Sequence, residues 1–218
     1  RSNLDRVQRE MDNSIARLSS GKRITRAADD AAGSAIVGRM ESQIRGLNMN
    51  IRNAKDGQSL VDTQEGALQE VSAMLQRMRE LAVQATGGII SNDDKDYLQL
   101  EVVQLLTEMK AIADNTKFND VNILTGAVFK FHTDIDAAGT AISVAGVFAR
   151  PASLAVTKAS ISIGSGTTGA ASVAVMITKI DTAIASINSI RSNLGSISNR
   201  FDHVIDNLTN VVANTESA

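Results

Sequence analysis

"VAVMITKIDTAIASINSIRSNLGSISNRFDHVIDNLTNV", Val173–Val211, carries an apolar residue at every seventh position: Val173, Ile180, Ile187, Leu194, Phe201 and Leu208. Ile177, Ile184, Ile190, Ile197, Val204 and Val211 fill the alternate seam. A sustained heptad means a long helix packed lengthwise against other helices. At about 1.5 Å per residue it is about 60 Å long, too long for a compact globule of this chain's size. The fold class predicted is mainly α: an elongated, rod-like antiparallel helical bundle with both chain ends toward the same end of the rod.

The first half of the chain supplies the helices that this seam needs. Leu4, Val7, Met11, Ile15 and Leu18 repeat at steps of three and four, an apolar helical stripe that breaks at Ser19-Ser20-Gly21. The pattern resumes with Ile36, Met40, Ile44, Leu47, Ile51 and Ala54, and Asp56-Gly57 is read as a bend or break. Leu68, Val71, Leu75, Met78 and Ala82 mark a further helix that ends at Thr86-Gly87-Gly88. Ser91 or Asn92 caps the next, with Asp93 and Asp94 at its N-terminal dipole. It carries Leu98, Val102, Leu105, Met109 and Ile112 and stops near Asn115.

From about Phe118 to Thr168 the composition turns to Gly, Thr, Ser and Val. "FKFHTDIDAAGTAISVAGVF" reads as a β-hairpin around a Gly-containing turn. The only proline, Pro151, lies in this region, and so do Phe118, Phe129, Phe131 and Phe148. Residues 163–172 read as a flexible connector. The predicted organisation is a first helix over 1–20, a discontinuous helical core over 21–125 and 173–218, and a short β-hairpin-rich insertion over 126–172.

Composition narrows the functions. The chain has 218 residues, 43% of them hydrophobic but only 3% aromatic, with no Trp and one Tyr. Ala, Val, Ile, Leu and Met suit helix seams better than ring-lined pockets. No cysteine is present, which excludes disulfides, thiolate metal sites and Cys nucleophiles. The net charge of −2 gives no reason to expect nucleic acid or a membrane surface. No apolar run approaches the roughly 18 residues of a membrane span, and no apolar signal core follows Arg1. Without an initiator Met, the chain is expected to start inside a longer helix.

Candidate chemistry is thin. Asp29-Asp30 lacks a nearby His and a full oxygen shell for a cation, and adjacent helical residues point about 100° apart, so a structural role is expected. His132 and His203 have neither catalytic-triad nor metal-ligand spacing around them. Gly164, Gly166 and Gly169 lack the strand-to-helix context of a phosphate loop. Arg77 and Arg79 flank Met78 in "LQRMRELAVQ" and read as a solvated helix face. Neither a cofactor nor a metal is expected, and an enzymatic role has almost no support. Abundant Asn, Gln, Ser and Thr on the helix surfaces fit side-by-side packing of rods through hydrogen bonds.

Taken together, these segments resemble bacterial flagellin. "ARLSSGKRITRAADDAAGSAI" resembles the family's N-terminal signature, and "GLNMNIRNAKDGQSLVDTQEGALQEVSAMLQRMRELAVQA" continues it. "FNDVNIL" resembles the lead into the β region, and "IRSNLGSISNRFDHVIDNL" the C-terminal helix. The resemblance covers about residues 1–125 and 175–218. It implies a structural subunit that is exported unfolded without a cleaved signal peptide and stacks into an extracellular motility filament. Implied partners are other flagellin subunits, the export chaperone, cap and junction proteins, and the innate flagellin-sensing Toll-like receptor. The family's receptor epitope maps onto Arg77, Leu81, Gln84 and Glu101, the first three expected on one helix face. The stretch Lys22–Gly33 resembles the family's connecting spoke. There Arg23, Arg26, Asp29 and Asp30 are expected at subunit interfaces, the two acids as helix-dipole partners or contacts to Lys and Arg. Most of the channel-lining terminal helices are missing from the pattern, so a filament-core fragment that stays monomeric in solution is expected. A hook–filament junction protein and a flagellin-like surface adhesin or glycan binder are the competing readings.

Overall fold

The computed structural model describes residues 2–21, 24–26, 28–87, 89–133, 141–163 and 170–217, of which 2–5, 9 and 170–172 are described by their backbone alone. Arg23, Gly164, Gly166 and Gly169 lie outside the described residues. Four helices dominate: α1 (Ser2–Ser20), α2 (Ala31–Ala85), α3 (Asn92–Asn115) and α4 (Ala170–Ser217). Short strands separate α3 from α4: β1 (Lys117–Phe118), β2 (Val121–Asn122), β3 (Phe129–His132) and β4 (Ala141–Val144). The chain divides into two compact units, residues 1–49 with 208–218 and residues 50–207.

The heptad of α4 is the spine of the second unit. Ile180, Ile187, Leu194 and Phe201 are buried, as the seven-residue spacing requires. The alternate seam is displaced by one residue at its start. Met176 and Ala183 are buried, while Ile177 and Ile184 are only half-buried. Within Val173–Ser217 an 18-residue window reaches a mean hydropathy of 1.4, long and apolar enough by composition to cross a membrane, where the sequence reading expects no such stretch. Its Ala, Ile and Val raise the mean despite interruptions by Thr, Ser and Asn, and the buried members form the bundle seam.

α2 is continuous for 55 residues, so Asp56-Gly57 is not a break. Gly57 is there for closeness. A Cβ on it would lie 2.6 Å from the Phe201 ring and 3.0 Å from Phe131. Those two rings meet edge-to-face, with centroids 5.7 Å apart, an arrangement that their quadrupoles favour. The hairpin thus docks on α2 and α4 through one aromatic corner.

α3 begins with a capping box. Ser91 Oγ accepts from the Asp94 amide, and the Asp94 carboxylate accepts from the Ser91 amide. Its buried stripe is Val102, Leu106, Met109 and Ala113. Leu98, Leu105 and Ile112, expected there from spacing, lie at its edge, half-buried. Two hairpins follow. Lys117 pairs with Asn122 and Phe118 with Val121, around Asn119 and Asp120, both at positive φ (49° and 62°). That is the turn geometry matching the right-handed strand twist. The sequence reading missed this hairpin because an Asn-Asp pair is a weaker signal than Asn-Gly. The expected second hairpin pairs Phe129 with Val144 and His132 with Ala141. Its tip lies outside the described residues.

Three polar contacts set the antiparallel register of α2 on α4. Gln58 donates to Asp202 at 2.7 Å, Arg191 pairs with Glu65 at 2.7 Å, and Arg79 pairs with Asp181 at 2.7 Å. Ion pairs within reach of water contribute only about 0–1 kcal/mol each. Their service is alignment, while the buried seam supplies the stability.

Candidate functional site

Two neighbourhoods follow from the sequence, one on α2 and α3 and one at the start of α2. Arg77 and Arg79 flank the fully buried Met78. Residues two apart on a helix point about 200° from each other, so the two guanidiniums reach opposite sides. Arg79 reaches Asp181 on α4. Arg77 pairs through Nε with Glu101 on α3 at 2.7 Å and with Glu80 at 3.2 Å. The Glu101 hydrogen bond first, and then that of Glu80, raise the Arg77 pKa above its ordinary value. In place of the plain solvated face that their spacing predicts, the arginines clasp α2 to two different helices. Glu80 was missed, although an acid three residues after an Arg on a helix is a readable pair.

The structure brings Arg77, Gln84 and Glu101 to the surface but not Leu81. Leu81 is 0% exposed and belongs to the core with Met78, Ala82 and Val102. The steps 77, 81 and 84 do keep one side of the helix, but α2 is covered over a wide arc. The short Leu81 side chain stays under that cover, whereas the longer Arg77 and Gln84 reach past it to water.

In the segment before α2 the two acids divide their roles. Asp30 is the N-cap: its Oδ1 accepts from the Gly33 amide at 2.9 Å. Asp29 does not serve the helix dipole. Its Oδ2 accepts from Thr25 Oγ1 at 3.0 Å and from the Arg26 amide at 3.2 Å, closing a tight turn. The Thr25 hydroxyl foremost, with the Arg26 and Thr25 amides, holds the Asp29 carboxyl below its ordinary value. A depressed folded value stabilises the turn above the usual Asp pKa of about 3.9 and loses that contribution as pH falls through it. The amide shifts of Thr25 and Arg26 should therefore titrate with a midpoint below about 3.9. A midpoint at or above the ordinary value would contradict the turn. Arg26 is exposed. His132 and His203 are exposed, and among the described residues no three His, Asp or Glu side chains gather as cation ligands.

Residues 1–128 match the family of the bacterial flagellin N-terminal helical region, and residues 177–218 match the bacterial flagellin C-terminal helical region. This chain belongs to the bacterial flagellin family. It is 49% identical over 112 residues to the flagellar filament 31.3 kDa core protein of Treponema maltophilum. That alignment covers 51% of this chain and 39% of the relative, so the chain spans well under half of that protein's length. Among solved structures, Bacillus cereus flagellin superposes with a TM-score of 0.62 at 35% identity, over 72% of this chain and 88% of its own. A Vibrio parahaemolyticus structure described as a flagellar hook-associated protein gives 0.77 at 14% identity, over 88% and 98%. At that identity the likeness is one of fold alone.

Proposed function

We propose that this chain is the helical core of a structural subunit that polymerises into an extracellular flagellar filament. One observation carries the reading most directly. Val7, Met11, Ile15 and Leu18 form a continuous apolar stripe on α1, and each is more than half exposed. A helix that repeats an apolar face and leaves it uncovered is built to pack against other helices. The filament core protein of Treponema maltophilum supports the same reading through shared family membership. In this account other subunits are the main partners. Export proceeds through the chaperone and secretion apparatus without a cleaved signal, and cap and junction proteins contact the filament ends. In this account Arg23, Arg26, Asp29 and Asp30 make those subunit contacts.

The same account assigns the receptor-facing epitope to Arg77, Gln84 and Glu101, with Leu81 beneath them as support. The Arg77–Glu101 pair presents a fixed, half-exposed guanidinium, a typical interface anchor. Electron microscopy of the full-length protein that carries this chain tests the filament role. Helical filaments are expected, and a protein that stays soluble under all polymerising conditions overturns it.

A further inference from the structure

α3 carries two exposed patches of opposite character. Near its start, Asp93 and Asp96 flank Tyr97 and Leu100, which are 70% and 61% exposed. Steps of three and four place these side chains on one helical stripe. Tyr97 is the chain's only tyrosine, and it stands in water near an exposed leucine.

The second half of α3 faces the segment after β4 across an open cleft of about 320 Å³. Leu106, Pro151 and Val156 give it an apolar floor, and Lys110, Arg150 and Lys158 stand around it. Asp114 accepts from both Lys110 and Arg150 at 2.7 Å, which fixes the two cations in place. Three cations against one carboxylate leave the rim positive. Chain-distant residues converge here, so no local motif announces the cleft.

We propose that the acidic Tyr97–Leu100 patch of one copy seats in this basic, apolar cleft of a second copy. This rests on the reading of the chain as a polymer subunit. The two surfaces complement each other in charge sign and in apolar content, as interacting patches do. A copy cannot satisfy its own cleft, because Tyr97 and Leu106 are held about 14 Å apart along one helix. Because donor and acceptor patches differ, the contact is head-to-tail and repeats from copy to copy without self-complementary closure. So small a contact is individually weak, and only its repetition along a polymer makes it add up.

The absence of cysteine makes the test clean. A Gln104→Cys copy, mixed with an Ala152→Cys copy under mild oxidation, is expected to form the mixed disulfide at least ten times faster than with an exposed Gln69→Cys copy. Adding Lys110→Glu and Lys158→Glu to the acceptor should bring the rate down to the control level. Adding Asp93→Lys and Asp96→Lys to the donor should then restore it. Equal rates for cleft and control, or rates indifferent to the reversals, overturn the contact. Saturable binding of dodecanoate in the cleft, read from amide shifts, without preferential cross-linking also overturns it and makes the occupant an amphipathic anion. Filaments from the full-length protein alongside control-level cross-linking would remove this contact and leave the filament role standing. Absence of filaments alongside fast cross-linking would do the reverse.

Discussion

Leu81→Ala is expected to destabilise the fold by about 2–5 kcal/mol, as truncation of a fully enclosed leucine does. Leu81 has no exposed surface and belongs to the buried core of the bundle. Arg77→Ala, one position from the same core, should leave stability nearly unchanged, because the arginine is half-exposed and its partners Glu80 and Glu101 remain solvated. The two substitutions then separate stability from recognition. If the epitope is placed correctly, Arg77→Ala lowers receptor signalling at an unchanged unfolding midpoint. Leu81→Ala lowers it only as far as it loosens the surface above. Urea unfolding combined with a reporter-cell assay distinguishes them. A Leu81→Ala protein as stable as its parent would contradict the packing, and unchanged signalling by Arg77→Ala would remove the epitope assignment.

Phe201→Ala is expected to cost about 3–5 kcal/mol. Its ring is fully buried, stacks edge-to-face on Phe131 and lies against the backbone of α2 at Gly57. The stronger check on that corner is Gly57→Ala. Alanine is a better helix former than glycine by about 1 kcal/mol. At Gly57, however, the new methyl would sit 2.6 Å from one ring and 3.0 Å from the other. Overpacking of this kind costs about 1–3 kcal/mol, and the nearer ring, Phe201, is fully enclosed, so the steric term should win. Gly195→Ala, where nothing lies within 4 Å, should instead stabilise by about 0.5–1 kcal/mol. Equal gains at the two glycines would show that the corner is loosely packed. Partial recovery of Gly57→Ala by Phe201→Leu would confirm that the ring is the obstacle.

These glycines show where local pattern stops being informative. Asp56-Gly57 looks like a helix break, since both residues are poor in helix interiors. The helix continues because the missing Cβ admits an aromatic ring from a residue 144 positions further along the chain. Leu81 shows the same limit from the other side. Its spacing to Arg77 and Gln84 was legible, but its cover was not. Ser91 differs: its cap depends on residues within one turn, and the sequence narrows it to Ser91 or Asn92. The division of labour between Asp29 and Asp30 was half legible. Either acid suited the helix start, and only the fold of the turn shows which carboxylate reaches Gly33 and which reaches Thr25.

By itself the sequence determined the long helices, the heptad face of α4, the second hairpin and the flagellin family. Each of these is written in periodicity or in contiguous motifs, and a helix expresses its period wherever it lies. The tertiary structure alone decided which residues at the edge of each stripe are covered, that Gly57 is a packing site, and that Arg77 and Arg79 hold different helices. It alone brought Lys110, Arg150 and Lys158 around one cleft. Burial and convergence depend on which segment lies across a face, and that neighbour comes from far along the chain.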